Sequence, residues 1–305
     1  MKRRHFLQTQ PIENQPFLET KRIAAMLEGE WNKYMKAKRL PKVWNGKFTK
    51  PVTKNYKISI CTTCKDRLEN LKQTLPRNIE DNLNYPNVEF IVLDYNSKKE
   101  DVGGWIKKEM MRYVEKGILV YLRTNEPKYF DMSHSRNIAF LAASGEIVNN
   151  VDADAFCGKG FAEFINKCAN ERPEKAIFAK SKQLLRGRLG LFKKEFIEVT
   201  GYSEAYAFHY GHDDADLMHR CWELGMLMMS FSRHGKFVGI VPHHIKHQED
   251  GNYPFPWWKT EGENRLLSFA HLLSGRFKAN EGRIWGKARL IKNFDGEKIE
   301  TGIQG

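Results

Sequence analysis

Between Lys57 and Val151 the chain alternates short apolar runs with segments of helical period, and few folds accept that cadence. Lys57–Thr62 (KISICT) and Val88–Leu93 (VEFIVL) are β-rich runs. Between them Leu68, Leu71 and Leu75 recur at helical spacing up to Pro76, with Asp66 placed as an N-cap. Gly103–Lys116 reads as a helix, Ile118–Arg123 as a strand, Ser135–Ser144 as a helix and Glu146–Val151 as a fourth strand. Parallel strands need a crossover between them, so strand and helix in alternation predict an α/β fold with a mostly parallel central sheet flanked by helices. Ligands of such sheets sit at the carboxyl ends of the strands. That directs attention to Thr62–Arg67, Asp94–Ser97 and Asp152–Asp154.

With 305 residues, 41% hydrophobic and 12% aromatic, the chain has ample material for a buried core, which excludes disordered, collagenous and disulfide-scaffold classes. No apolar run reaches the length of a membrane span, and the basic N-terminus lacks the apolar core of a signal peptide. Five cysteines, an odd number, point to reduced thiols and a cytoplasmic protein. Cys61 and Cys64 have C-x-x-C spacing without a second pair and read as structural. The net charge of +13 is uneven. Residues 1–54 carry far more Lys and Arg than Glu, and Arg276–Lys292 sets six basic residues against the single acid Glu281. The chain therefore divides into a basic, partly helical N-terminal extension (1–54), a catalytic domain (55–260) and a basic C-terminal extension (261–305). Within the first, Ile23, Met26, Leu27, Trp31 and Tyr34 mark a helix, and Trp44–Lys54 reads as a linker. Basic flanks point to an anionic partner, although they also serve as plain solvated surface.

Three clusters carry chemistry. Asp152-Ala153-Asp154 puts two carboxylates just past an apolar strand, where hard oxygen donors suit Mn²⁺ or Mg²⁺ on a diphosphate; a polar turn is the plain alternative. Gly211-His212-Asp213-Asp214-Ala215-Asp216-Leu217 opens a helix with more acid than a cap needs, so one carboxylate is available as a general base. His243-His244-Ile245-Lys246-His247 follows the strand-like Lys236–Val241, and could complete a metal shell or be surface histidines.

Taken in order, Ile58-Ser59-Ile60, Asp66–Leu71, Val88–Asp94 with Asn96-Ser97, Ser135-Arg136-Asn137, Ser144-Gly145-Glu146 and Asp152-Ala153-Asp154 resemble a family-2 glycosyltransferase of the GT-A (nucleotide-diphospho-sugar transferase) fold. Gly190–Phe196, Val199–Tyr202 and Gly211–Leu217 are similar to the portion shared by galactosyltransferases and chondroitin-polymerase-type enzymes. The resemblance covers roughly residues 57–250 and implies an inverting transferase that uses a nucleotide-sugar donor, most often a UDP-sugar, with Mn²⁺ or Mg²⁺. It implies Thr63, Arg67, Asp94, Asn96, Arg136 and Asp152 for nucleotide binding, and Asp152 and Asp154 as metal ligands with His247, or His244 in reserve. Asp214 is implied as base and Asp213 as sugar- or acceptor-binding. The chain departs from the family pattern where its first strand ends in Thr-Thr-Cys-Lys-Asp, at Asp213 in place of Glu, and at Thr200 in place of a second glycine.

Family-2 relatives mostly extend glycans, often at a membrane surface, and the basic amphipathic stretch Lys21–Lys38 fits peripheral membrane contact. The same charge fits a phosphate backbone, with a hydroxymethylated DNA base as acceptor. The aromatic run Asn252–Trp258 could stack on a sugar or a base, or pack as a lid. A nucleotidyltransferase and a non-catalytic nucleic-acid-binding protein on the same fold are the readings from other classes.

Overall fold

The computed structural model describes residues 15–39, 43–44, 47–179, 188–206, 210–230, 239–240, 252–294 and 296–305. The chain opens with helix α1 (Gln15–Ala37) and a short strand β1 (Val43–Trp44). The expected alternation follows as β2 (Ile58–Cys64), α2 (Leu68–Glu80), β3 (Val88–Tyr95), α3 (Val102–Glu109), α4 (Met111–Glu115), β4 (Leu119–Thr124), α5 (Met132–Ala142) and β5 (Ile147–Asn150). Next come β6 (Ala155–Phe156), α6 (Phe161–Glu171), β7 (Ala176–Ala179), β8 (Leu189–Phe192), α7 (Lys193–Glu198), α8 (Asp213–Glu223), β9 (Leu227–Ser230) and β10 (Gly239–Ile240). Helix α9 (Trp257–Leu273) and the hairpin β11 (Ile284–Lys292) and β12 (Glu297–Gln304) complete it.

One sheet runs in the order β1-β9-β7-β8-β5-β2-β3-β4-β11-β12, and β6 with β10 forms a small separate pair. Strands β2, β3, β4 and β5 are parallel, whereas β8 and β11 join antiparallel on either side of them. Every residue of β2 is buried, as expected of a parallel strand covered on both faces. The chain moves outward from β2 to β3 and β4, then returns through α5 to place β5 on the other side of β2. The carboxyl ends of β2 and β5 thus flank a topological switch point, where open α/β sheets hold their ligands.

The two faces are covered by separate cores. On one, Leu71, Leu75 and Ile79 of α2, Ile106 of α3 and Phe161 and Ile165 of α6 pack together. On the other, Ile138 and Phe140 of α5, Phe196 of α7, Leu217 and Trp222 of α8, Phe269 of α9 and Trp285 of β11 do so.

Four local expectations change in the structure. The single helix read over Gly103–Lys116 is broken at Met110 into α3 and α4. Helix α2 does not stop at Pro76 but carries it inside and runs to Glu80, with Leu75, Asn78 and Ile79 buried on either side. An interior proline costs about 3 kcal/mol, which burial of this apolar face offsets. Asp66 does not cap α2; with φ 51° it accepts the Lys98 and Lys99 amides, while Glu100 accepts the Leu68 amide. The segment read as a linker is tied down, since β1 pairs in parallel with β9 and Glu171 accepts the Thr49 and Lys50 amides.

Helix α1 turns its apolar stripe inward: Trp31 and Met35 belong to the second core, and Trp31 lies 5.2 Å from the Tyr34 ring and 5.8 Å from the His219 ring. The Tyr34 hydroxyl donates to Glu223 at 2.7 Å. Part of the apolar stripe is thus used within the protein, whereas Met26 and Leu18 stay exposed together with Lys21, Arg22, Lys33 and Lys36. Among the described residues no helix is long and apolar enough to cross a membrane. Trp31→Ala is expected to cost about 3–5 kcal/mol in a urea melt; a loss below about 1 kcal/mol would show that α1 is not integral to the core.

Candidate active site

The site is built around the guanidinium of Arg136. Asp131 caps α5 by accepting the His134 amide at 2.9 Å, and the buried helix carries Arg136 beneath the carboxyl ends of β2 and β5. Arg136 is 1% exposed, and its Nη2 donates to Asp152 Oδ1 at 3.0 Å. Its Nη1 donates to Asp214 Oδ1 at 3.0 Å and also to Asp213 Oδ2. Burial pulls the guanidinium's pKa down, but Asp213, Asp214 and Asp152 together push it well above its ordinary value. The Tyr202 ring lies beneath it, 5.5 Å from the guanidinium carbon. Two sequence clusters some sixty residues apart, D-x-D and D-D-x-D, therefore converge on one arginine.

Their openness differs. Asp152 has 34% of its side chain exposed, against 6% for Asp213 and 14% for Asp214. Asp152 Oδ1 is also held by the Asn150 amide at 2.8 Å, so its direction is fixed from two sides. Asp154 is half-buried. Tyr210, just before the helix, has its hydroxyl pushed up to about 12, by burial and then by Asp152, Asp213 and Asp154, with Arg136 opposing. Asp216, the third acid of the cluster, faces the other way. It accepts from Arg220 at 2.8 Å and Ser268 at 2.7 Å, and these partners outweigh burial and hold its pKa below the usual range.

Asn137, the next residue on α5, fixes the turn before α8. It accepts the Tyr202 amide at 2.8 Å and donates to the Tyr202 carbonyl at 3.0 Å and Glu204 at 2.8 Å. Gly201 in this turn has φ 69°, and a Cβ there would lie 2.4 Å from the Trp285 ring, so only glycine fits. Thr200 also has positive φ, 53°, an uncommon state for a β-branched residue. Asn280 holds it there: its amide donates to Thr200 Oγ1 at 2.9 Å, and its side chain to the Thr200 and Tyr202 carbonyls.

On the β3 side, Asp94 is fully buried, accepting from the Ser97 amide, the Tyr121 hydroxyl and Arg123. Asn96 is buried with φ 58°, donates to the Pro127 carbonyl at 2.8 Å and leaves its amide oxygen without a partner among the described residues. Thr63 is buried at the end of β2, paired with Leu93, and Arg67 is half-buried at the start of α2. His244 and His247 lie outside the described residues. Cys61 and Cys64 are both buried free thiols.

Sequence reasoning missed Lys65, Arg123 and Asn280. Lys65 is buried with its Nζ donating to the Tyr95 and Asn96 carbonyls at 3.2 and 2.6 Å, which ties the ends of β2 and β3 together. Its signal was a lysine following an apolar strand; Asn280, in the basic C-terminal stretch, left none. The Asn252–Trp258 run is anchored here as well. Asn252 donates to the Lys65 carbonyl at 3.1 Å and accepts the Phe130 amide at 2.8 Å, and Tyr253 packs edge-on to Phe130 and Tyr210. Its last residues, Trp257 and Trp258, begin α9 rather than a loop.

A mostly parallel sheet with helices on both faces, here with acids gathered at its switch point, is the GT-A architecture of glycosyltransferases. Residues 59–177 match glycosyl transferase family 2, and residues 169–247 match the N-terminal domain of galactosyltransferase. Among solved structures the chain is similar to the mannosyltransferase PcManGT from Pyrobaculum calidifontis, described in complex with GDP-Man and Mn²⁺. That likeness is 19% identical, covers 84% of this chain and 86% of that one, and has a TM-score of 0.53. It is also similar to S. aureus TarS 1-349 in complex with UDP-GlcNAc, at 13% identity over 64% of this chain and 61% of that one, with a TM-score of 0.48. No curated protein matches the sequence. These matches and the fold support a family-2-like glycosyltransferase of the GT-A fold.

Because Asn280 closes the Thr200–Tyr202 turn, Asn280→Ala leaves buried carbonyls unmatched and is expected to cost about 2–4 kcal/mol. Urea denaturation checks this; a cost under about 0.5 kcal/mol would mean the turn holds itself.

Proposed function

We propose that this chain is a divalent-metal-dependent, inverting glycosyltransferase that moves a sugar from a nucleoside-diphosphate donor, a UDP-sugar first among them, to a hydroxyl on an anionic acceptor. The observation that carries this reading is the gathering of Asp152, Asp213 and Asp214 on Arg136 at the switch point.

Thr63, Arg67 and Asn96 form the nucleotide side. The Asn96 amide oxygen, buried and without a partner among the described residues, is suited to accept an N–H from a base. Asp94 acts there by fixing Ser97 and Arg123 rather than by reaching out itself. Asp152 and Asp154 are the residues that would hold the cation, with His247 or His244. Two carboxylates, one a third exposed and pre-aimed by Asn150, are the hard donor set that Mn²⁺ or Mg²⁺ takes beside phosphate oxygens. Among the described residues no group of three or more His, Cys, Asp or Glu gathers into a metal site, and donor phosphates or groups outside them would complete the shell. When bound, the cation offsets the charge that grows on the leaving diphosphate.

The chain's own work is proton transfer and orientation. The acceptor hydroxyl gives its proton to Asp214 as its oxygen bonds to the anomeric carbon; the bond from that carbon to the phosphate oxygen breaks, and the nucleoside diphosphate leaves. One base and no carboxylate nucleophile give a single displacement and inversion. Asp213, largely buried against Arg136, orients sugar or acceptor from beside the base. The net charge of +13 and the exposed Lys21, Arg22, Lys33 and Lys36 of α1 support an anionic acceptor, a glycan or nucleic acid.

Asp214→Asn is expected to bind donor and Mn²⁺ as the wild type does while losing transfer by about 10³-fold or more, and Asp154→Ala to lose Mn²⁺-dependent nucleotide binding. Calorimetry and product assays separate the two. Equal loss of binding and transfer in Asp214→Asn contradicts the base assignment, and full Mn²⁺-dependent affinity in Asp154→Ala contradicts the metal assignment. Neutralising the four basic residues of α1 is expected to flatten the salt dependence of acceptor binding without changing donor affinity; an unchanged slope contradicts the anionic-acceptor reading.

A further inference from the structure

Arg136, which the resemblance assigned to nucleotide binding, is as deeply buried as Arg188 and Arg220, but it alone of these three is bound to the acid cluster at the switch point. Among the described residues its side-chain hydrogen bonds go to carboxylates: Nη1 to Asp213 and Asp214, Nη2 to Asp152. It rests on the Tyr202 ring, and its neighbour Asn137 pins that same turn, so the guanidinium has little freedom to leave. Asp152 is at once the most open of the three carboxylates and one of the two proposed cation ligands.

We propose that Arg136 is a positioning residue that acts as a resident counter-cation, competing with the divalent ion for Asp152 and so linking occupancy of the cation site to the placement of Asp214. This inference rests on the cation site proposed above. A divalent ion binds a carboxylate oxygen at roughly 2.1 Å, and Arg136 Nη2 already stands 3.0 Å from Asp152 Oδ1. The two cations repel at that range through a partly desolvated medium. Loading the site therefore weakens the Arg136–Asp152 bond and leaves the guanidinium to Asp213 and Asp214 alone. The base is then held by a two-carboxylate clamp only when the site is charged for reaction.

This account makes an unusual demand on mutants: removing the arginine should improve metal binding while it damages transfer. In calorimetric titration of the full chain with Mn²⁺ and no donor, Arg136→Gln is expected to bind Mn²⁺ about ten-fold tighter than wild type. Its kcat should fall by about 100-fold or more, with donor KM unchanged or lower. Arg136→Lys keeps the charge but reaches fewer carboxylates; it should shift Mn²⁺ affinity in the same direction by less and still lose kcat, and it serves if the glutamine variant does not fold. A merely structural arginine would weaken metal binding when removed. Unchanged or weaker Mn²⁺ affinity in the folded variants, beside normal wild-type binding, overturns the clamp and leaves the cation site standing. A wild-type chain that binds no divalent ion overturns both.

Discussion

The site depends on a single buried arginine. Three carboxylates at the end of a sheet, two of them largely out of water, would repel one another and draw α8 away from β5 without a cation between them. Arg136 supplies it, and α5 supplies Arg136, because the helix is buried along most of its length and cannot shift without disturbing the core. Breaking such a buried pair from one side costs about 3–5 kcal/mol, so this contact joins the first half of the fold, which carries the D-x-D, to the second half, which carries the acid helix.

The same logic runs through what surrounds it. Arg220 holds Asp216 and donates to the Val199 and Gly201 carbonyls, fastening the first turn of α8 to the glycine turn. Asn137 and Asn280 fasten that turn from the other side. The basic flanks take part: α1 covers α8 and α9 through Trp31 and Tyr34, while the C-terminal hairpin extends the sheet beyond β4 and packs Trp285 against Phe196. In this structure the flanks are walls of the catalytic unit that also carry charge outward.

Much of this was legible in the sequence because it rests on local periodicity. The alternation from Lys57 to Val151 foretold β2 to β5 nearly residue for residue, and a polar break after each apolar run marked the crevice. What local pattern cannot show is which distant side chains meet. Ser135-Arg136-Asn137 was quoted as part of a resemblance, yet nothing nearby in sequence says that Arg136 meets acids at positions 152, 213 and 214. Asp94 looked like a ligand-facing acid, but its partners Tyr121 and Arg123 come from the next strand, and pairing across a sheet is not written in either strand alone. Pro76 misled because a proline rule describes a backbone cost and not the packing that offsets it. Thr200 looked like a flaw in a glycine turn until Asn280, eighty residues away, gave it a hydrogen-bonding reason.

The central claim is that the acid cluster at the switch point transfers sugar from a nucleotide donor in one displacement. It is tested most directly by incubating the chain with Mn²⁺ and each of the UDP-, GDP-, CMP- and TDP-sugars, following nucleotide release and the anomeric configuration of the freed sugar by NMR. The account predicts slow release of a nucleoside diphosphate from one donor class, with the configuration inverted relative to the donor. Retention of configuration would contradict the single-displacement mechanism, and release from none of the donors, with nucleoside triphosphate consumed instead, would contradict sugar transfer itself.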